Sequence, residues 1–172
     1  MTLDELNRAD RATFVTALGG VFERSPWIAE AAWHARPFTS VGQLHAAMVD
    51  AMMRADAGRQ MALIRAHPEL AGKAAVRGEL TAESTAEQAA AGLTACSPAE
   101  YATLQALNAR YNERFGFPFI LAVKGHDRAS ILATFAVRVE HEVEDERAEN
   151  LRQIARIAGL RLQSMIADVA SA

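Results

Sequence analysis

Thr2 with Glu5, Ser40 with Gln43, Ser84 with Glu87 and Ser97 with Glu100 each set a serine or threonine three residues ahead of a glutamate or glutamine. In this pattern the hydroxyl accepts from a first-turn N–H while the longer side chain reaches back to the cap residue's own N–H. Each instance therefore marks a helix start. Pro98 reinforces the last of them by taking the favoured first helical position. Tyr101, Leu104, Leu107, Tyr111 and Phe115 then recur at helical spacing, and Gly116 reads as the stop.

The same period runs through the rest of the chain. Phe14, Ala17, Leu18 and Val21 predict a helix ending near Gly19–Gly20, and Trp27, Ala31 and His34 another. Val41, Leu44, Met48 and Met52 mark a third stripe, and Met61 with Ile64 a fourth. A long final stripe joins Leu151, Ile154, Ala158, Leu162, Met165 and Val169. No alternating run predicts a strand. "FPFILAV" fits either a buried extended segment or the entry to a helix near Ser130. With 51% apolar residues in a chain of 172, there is enough hydrophobic surface for a sizeable core. The expectation is an all-α protein, one compact domain over residues 1–172, with about seven to nine helices. Its least regular part is "HPELAGKAAVRGELTAES", and a polar connection of that length in a helical domain is more often functional than idle.

Charge narrows the function classes. The formal net charge is −3 and no basic run appears, so no nucleic-acid surface is expected. Lysine occurs only at Lys73 and Lys124, so arginine carries nearly all the positive charge. The longest apolar run has seven residues, far short of a membrane span. One cysteine, Cys96, excludes an intramolecular disulfide and fits a reducing compartment. The N-terminus lacks a signal pattern, and "DVASA" is not a peroxisomal address. A soluble cytoplasmic protein is expected, without a membrane partner.

Candidate chemistry starts at "IRAHPELAGK". Proline disfavours the α conformation in the residue before it, so His67 is pushed outward at a helix exit. There it either satisfies the last helical carbonyls or serves as an acid–base group that titrates near neutrality. Ser84 and Glu87 read first as a capping box, yet a helix N-terminus over Ser84 to Gln88 also presents N–H groups to an anionic or carbonyl-rich ligand. "NERFGFPFILAVKG" packs as core, or lines a small polar pocket with backbone groups that have no regular ladder. Arg161 falls near the edge of the final apolar stripe and Arg147 closer to its centre; a half-buried arginine needs a carboxylate partner or an anionic ligand. His126 and Asp127, and His141 among Glu140, Glu142 and Glu144, are dense in donors. They match no metal-binding spacing, so no metal site is expected, and "VEHEVEDERAEN" reads as a solvated acidic face. Cys96 lacks the surroundings of a nucleophile, and no glycine-rich phosphate loop is present.

Taken in order, "FERSPWIAEAAW", "IRAHPELAGK", "STAEQAAAGL", "NERFGFPFILAVKG" and "ENLRQIARIAGLRLQSM" resemble one family, the 2-oxo-4-hydroxy-4-carboxy-5-ureidoimidazoline (OHCU) decarboxylases of uric acid breakdown. The resemblance runs from about Phe22 to Met165, and its His-Pro-Glu-Leu and Asn-x-Arg-Phe-Gly-Phe-Pro-Phe pieces are the most specific. It implies an all-helical, cofactor-independent and commonly dimeric enzyme acting on a small molecule. It also implies His67 as the catalytic histidine with Pro68 beside the ligand, and Glu87 as the glutamate within a contacting run of Ser84, Thr85, Ala86 and Gln88. Phe119, Ile120, Leu121, Ala122 and Val123 would add contacts, chiefly through backbone, and Arg161 matches a family arginine near the pocket. A separate 5-hydroxyisourate hydrolase is the implied functional partner. The readings that do not need the resemblance are a non-enzymatic helical binding module and a metal-assisted hydrolase built on His126 and His141.

Overall fold

The computed structural model describes residues 1–166, apart from the side chains of residues 73 and 74. Two compact units emerge: Met1–Ala66 together with the chain from Ala155, and His67–Ile154. The elements are α-helices and two short 3₁₀ turns, with no strand among the described residues. Nine of the helices are longer than four residues.

In the first unit, α1 (Leu3–Arg8) opens on the expected Thr2–Glu5 capping box. Asp10, whose side chain accepts from the Thr13 N–H, starts α2 (Arg11–Leu18), which ends at Gly19 as its sequence predicts. Pro26 leads α3 (Pro26–Ala32). Its buried face is Ile28, Ala29 and Ala32 instead of Trp27, Ala31 and His34. The bulk of Trp27 suggested the stripe, but the small Ala29 and Ala32 allow the close approach of α3 to α2 and α4. The Ser40 hydroxyl caps α4 (Val41–Arg54), while the Gln43 side chain reaches one residue further back, to the Thr39 N–H at 2.7 Å. Leu44, Met48 and Met52 are fully buried along α4. Each such side chain contributes about 1.5–3 kcal/mol by leaving water. Helix α5 (Ala57–Ala66) then buries Gln60, Leu63 and Ile64. Gln60 is tolerated inside because its amide donates to the Met52 and Met53 carbonyls at the end of α4.

The second unit starts with the irregular stretch. It is interrupted by a single turn, α6 (Lys73–Val76), and by α7 (Ala82–Ala90). Ser84 is not the cap of α7. Thr81 is: its hydroxyl accepts from the Ser84 N–H at 3.3 Å. Thr81 offers the same chemistry three residues earlier and so adds nearly a turn of helix. Helix α8 (Pro98–Phe115) keeps its Ser97–Glu100 box and its left-handed Gly116 stop. Its inner stripe is Leu104, Asn108, Tyr111 and Phe115; Tyr101 lies outside. Asp127 caps α9 (Arg128–Arg138), which packs on α8.

The last helix, α10 (Val143–Met165), has its first part in the second unit and its last turns in the first. Leu151, Ile154, Ala158 and Leu162 are buried as their spacing predicts, whereas Met165 is exposed. Val169 lies outside the described residues.

Candidate active site

Helix α5 stops at Ala66, and the pair His67–Pro68 follows at once. His67 is 7% exposed, so it leaves the helix into protein and not into solvent. The next residues turn sharply: Ala71 has φ +49°, a left-handed conformation that costs an L-residue roughly 1–2 kcal/mol. Side chains from two helices hold that turn. The Gln88 amide of α7 spans it, accepting from the Ala71 N–H at 2.9 Å and donating to the Glu69 carbonyl at 3.2 Å. From α8, Gln105 donates to the Ala71 carbonyl at 2.7 Å and Asn108 to the Leu70 carbonyl at 3.0 Å. Asn112 donates to the Glu69 carboxylate. Gln105, Asn108 and Asn112 share one face of α8, a polar stripe that periodicity in apolar residues does not reveal.

Gly72 is required by this packing. A Cβ there would sit 2.6 Å from the Glu69 Cβ and 2.7 Å from its carboxylate. Gly72→Ala is therefore expected to displace Glu69 and loosen the turn behind His67. Turnover should fall about tenfold, equivalent to ~1.4 kcal/mol of misplacement. Steady-state kinetics beside an unchanged far-ultraviolet dichroism spectrum check this.

Ser84 and Gln88 are buried on α7, Glu87 is half-buried between them, and Thr85 and Ala86 are exposed. The backbone N–H groups of Ser84 and Thr85 are already bonded to Thr81, at 3.3 and 2.9 Å. The idea that Ser84 to Gln88 form an open helix N-terminus is thus corrected. That end lies at Ala82, and this segment offers side chains instead.

The third segment, Phe117–Val123, is buried throughout and belongs to no helix. It is an extended segment, not the entry to α9, and it lies over an ion pair the sequence hid. Glu146 is fully buried, although it stands in the acidic run expected to face solvent. Arg138 of α9 donates to it from Nη2 at 2.9 Å and from Nε at 3.1 Å; the Tyr111 hydroxyl also donates, and the His141 ring nitrogen Nδ1 lies 2.9 Å away. Burial, then the bond to Glu146, pushes the Tyr111 phenol far above its ordinary range, so it remains a donor. Arg138 also lies over the Phe119 ring at 4.4 Å, and Phe119 stacks on Phe135 with centroids 3.8 Å apart.

Helix α8 is the common support of these parts. One stripe pins the turn after His67, and Tyr111 packs against Phe119 at 5.5 Å. Arg161 belongs to the first unit. It is not half-buried but 5% exposed, with Nη1 3.2 Å from the equally buried Glu23 carboxylate and near the Gly20 and Val21 carbonyls. Arg147, read as nearer the stripe centre, instead reaches Glu144 at 3.3 Å and is only partly covered.

His126 lies 3.2 Å from the Ser130 hydroxyl, and His141 serves the buried ion pair. Among the described residues, no three His, Cys, Asp or Glu side chains gather as a metal site would require. Burial raises the Cys96 thiol above its ordinary value, so it stays protonated at neutral pH. An open cavity of about 370 Å³ in the first unit, lined by Trp27, Asp50, Arg54 and Arg59, contains none of the expected site residues.

A buried histidine at a proline-fixed helix exit, a glutamate and an amide on α7, and a buried stretch of non-helical backbone are residue types that a small-molecule acid–base site can use. Residues 7–163 match the family model described as OHCU decarboxylase. A 2-oxo-4-hydroxy-4-carboxy-5-ureidoimidazoline decarboxylase of Haloferax volcanii is 44% identical over 162 residues, covering 94% of each chain. The "Uric acid degradation bifunctional protein PucL" of Bacillus subtilis is 41% identical over 97% of this chain, which spans 33% of that protein. Among solved structures, an (S)-allantoin synthase superposes with a TM-score of 0.79 at 29% identity, covering 96% of this chain and 54% of that one. The chain belongs to the OHCU decarboxylase family.

Proposed function

We propose that this protein decarboxylates 2-oxo-4-hydroxy-4-carboxy-5-ureidoimidazoline to (S)-allantoin, with His67 as the general acid–base group. The observation that carries this reading is the pinning of the turn after His67–Pro68 onto α7 by both ends of the Gln88 amide. Two family motifs, joined by bonds between residues 17 and 19 positions apart, are thereby tied into one structure.

The chemistry needs no electron sink beyond the substrate. The bond from the carbinol carbon to the carboxylate breaks, and its pair forms a double bond to the neighbouring ring carbon. The pair of the ring C=N moves onto nitrogen, which takes a proton. The hydroxyl then loses its proton to become a carbonyl, and the neighbouring carbon accepts one on a single face. That last carbon is the stereocentre. His67 delivers this proton, and Glu87 orients the hydroxyl. Gln88 retains one amide hydrogen and one oxygen lone pair beyond those used on Glu69 and Ala71, enough to meet a ureido group or ring carbonyl. Ser84 adds a hydroxyl from the same helix. The protein acts as a cytoplasmic homodimer beside a separate 5-hydroxyisourate hydrolase.

Generating the substrate with urate oxidase and that hydrolase, and following it by ¹³C NMR, tests the reading. Added protein should speed the loss of intermediate and the release of carbon dioxide, and a chelator should not alter the rate. Decay at the spontaneous rate, with the intermediate present and the protein folded, would leave the binding-module reading. A rate abolished by chelator and restored by zinc or manganese would favour the metal-assisted one.

A further inference from the structure

The segment Pro118–Ala122 has no neighbouring strand, yet one of its edges is fully occupied by side chains. The Pro118 carbonyl accepts from Asn150 Nδ2 at 3.0 Å, and the Ile120 N–H donates to Asn150 Oδ1 at 3.2 Å. The Ile120 carbonyl accepts from Arg138 Nη1 at 2.7 Å, and the Ala122 N–H donates to Gln153 Oε1 at 3.0 Å. These helical side chains replace a partner strand. Asn150 and Gln153 stand three residues apart on one face of α10, about 4.5 Å along its axis. Alternate residues of an extended chain are about 6.6 Å apart, a gap that two amide side chains span.

The ladder is itself braced. Arg138 Nη2 donates to Asn150 Oδ1 at 2.8 Å, Glu146 holds Arg138, and the Gln153 amide donates to Glu149 at 2.7 Å. Asn150 and Glu146 are fully buried and Arg138 is 5% exposed.

The other edge has a different character. An extended chain directs the N–H and C=O of successive residues to opposite sides, so Phe119, Leu121 and Val123 present theirs away from the ladder. The Val123 carbonyl closes a turn by accepting from the His126 N–H at 2.9 Å. The backbone groups of Phe119 and Leu121 take no protein hydrogen bond among the described residues, although both residues are at least nine-tenths buried. Buried peptide groups are nearly always paired, so this edge is the one suited to a polar ligand.

We propose that Asn150, Gln153 and Arg138 are positioning residues that commit one edge of Pro118–Ala122 to the protein and so turn the Phe119–Leu121 edge to the ureido and ring amide groups of the substrate. The inference rests on the decarboxylase reading and sharpens it: Ile120 and Ala122 contribute no backbone hydrogen bond to the ligand.

Amide hydrogen exchange read by NMR, with and without (S)-allantoin as the probe, tests the edge directly. The Ile120 and Ala122 amides should be protected in the free protein and unchanged by the probe, whereas the Phe119 and Leu121 amides gain protection. Gln153→Met removes the acceptor from a partly exposed position while keeping its length. It should speed Ala122 exchange and raise KM about tenfold, the loss of roughly one hydrogen bond's worth of alignment, with kcat within about twofold of wild type. The thermal unfolding midpoint should stay close to wild type. Probe-induced protection at Ile120 and Ala122, or a wild-type KM in folded Gln153→Met, would overturn the proposal while the decarboxylase reading stands. Wild-type protein that neither turns over nor binds the probe would remove that reading and this proposal with it.

Discussion

Arg138→Met should destabilise the protein by about 3–5 kcal/mol, the usual cost of stripping the partner from a buried charge. The Arg138 and Glu146 side chains are 6% and 0% exposed, so water cannot replace the lost guanidinium. Tyr111 and His141 would remain on the carboxylate, but one neutral donor and one imidazole do not balance a buried negative charge. The same substitution removes the donor to the Ile120 carbonyl and the cation over Phe119. Urea unfolding measures the effect. Combining Arg138→Met with Glu146→Gln should restore part of the loss, because the unpaired charge goes with it. A loss below about 1 kcal/mol would mean that the pair behaves like a solvated surface bridge.

His67→Asn should lower turnover by about 10²–10⁴-fold, the range a positioned general acid–base group supplies. Asparagine is close in size and keeps a hydrogen-bonding head, but it cannot carry a proton between groups near neutrality. Binding of (S)-allantoin should survive within a few-fold, because the turn after Pro68 is held by Gln88, Gln105, Asn108 and Asn112, none of which the substitution touches. Titration calorimetry beside steady-state kinetics separates the two effects. Loss of binding together with turnover would recast His67 as a binding residue.

The helices were legible because their signals are local. The boxes at Thr2 and Ser97, the glycine stop at Gly116 and the stripe Leu44–Met48–Met52 each lie within a few residues, and each stands where its pattern placed it. Ser84 failed for a local reason as well: Thr81 caps three residues earlier through its hydroxyl alone, and the box rule passes it over because Ser84, not a glutamate or glutamine, follows it at the third position. The buried network was illegible for a different reason. Glu146 sits in a run of acids that any periodicity places on a wet face, and its partners Arg138 and Tyr111 come from α9 and α8. No spacing within one helix announces a pairing between three. The extended segment shared that fate, since its ladder consists of an asparagine and a glutamine on α10 and an arginine on α9. Arg161 was placed near its true face, with a carboxylate partner as one of its two expected uses. Glu23, some 138 positions away, was not a partner the sequence could name.

The family motifs are visible in sequence as His-Pro-Glu-Leu and Asn-x-Arg-Phe-Gly-Phe-Pro-Phe, but their purpose is not. The structure shows the first as a strained turn whose peptide groups are bonded by side chains of α7 and α8. It shows the second as the end of α8 and its glycine stop, leading into backbone that Asn150 and Gln153 fix along one edge. Both stretches lead into backbone held by side chains that lie outside them, an arrangement by which a helical scaffold can give a small site precision.

The most direct test is the circular dichroism of the allantoin formed when substrate is generated in the presence of wild-type or His67→Asn protein. Spontaneous decay yields racemic product and no lasting signal. Wild-type protein should give a rapid rise to the full signal of (S)-allantoin, and His67→Asn only the slow, signal-free decay. A full (S) signal from His67→Asn at the wild-type rate would contradict the central claim that this histidine delivers the proton to one face.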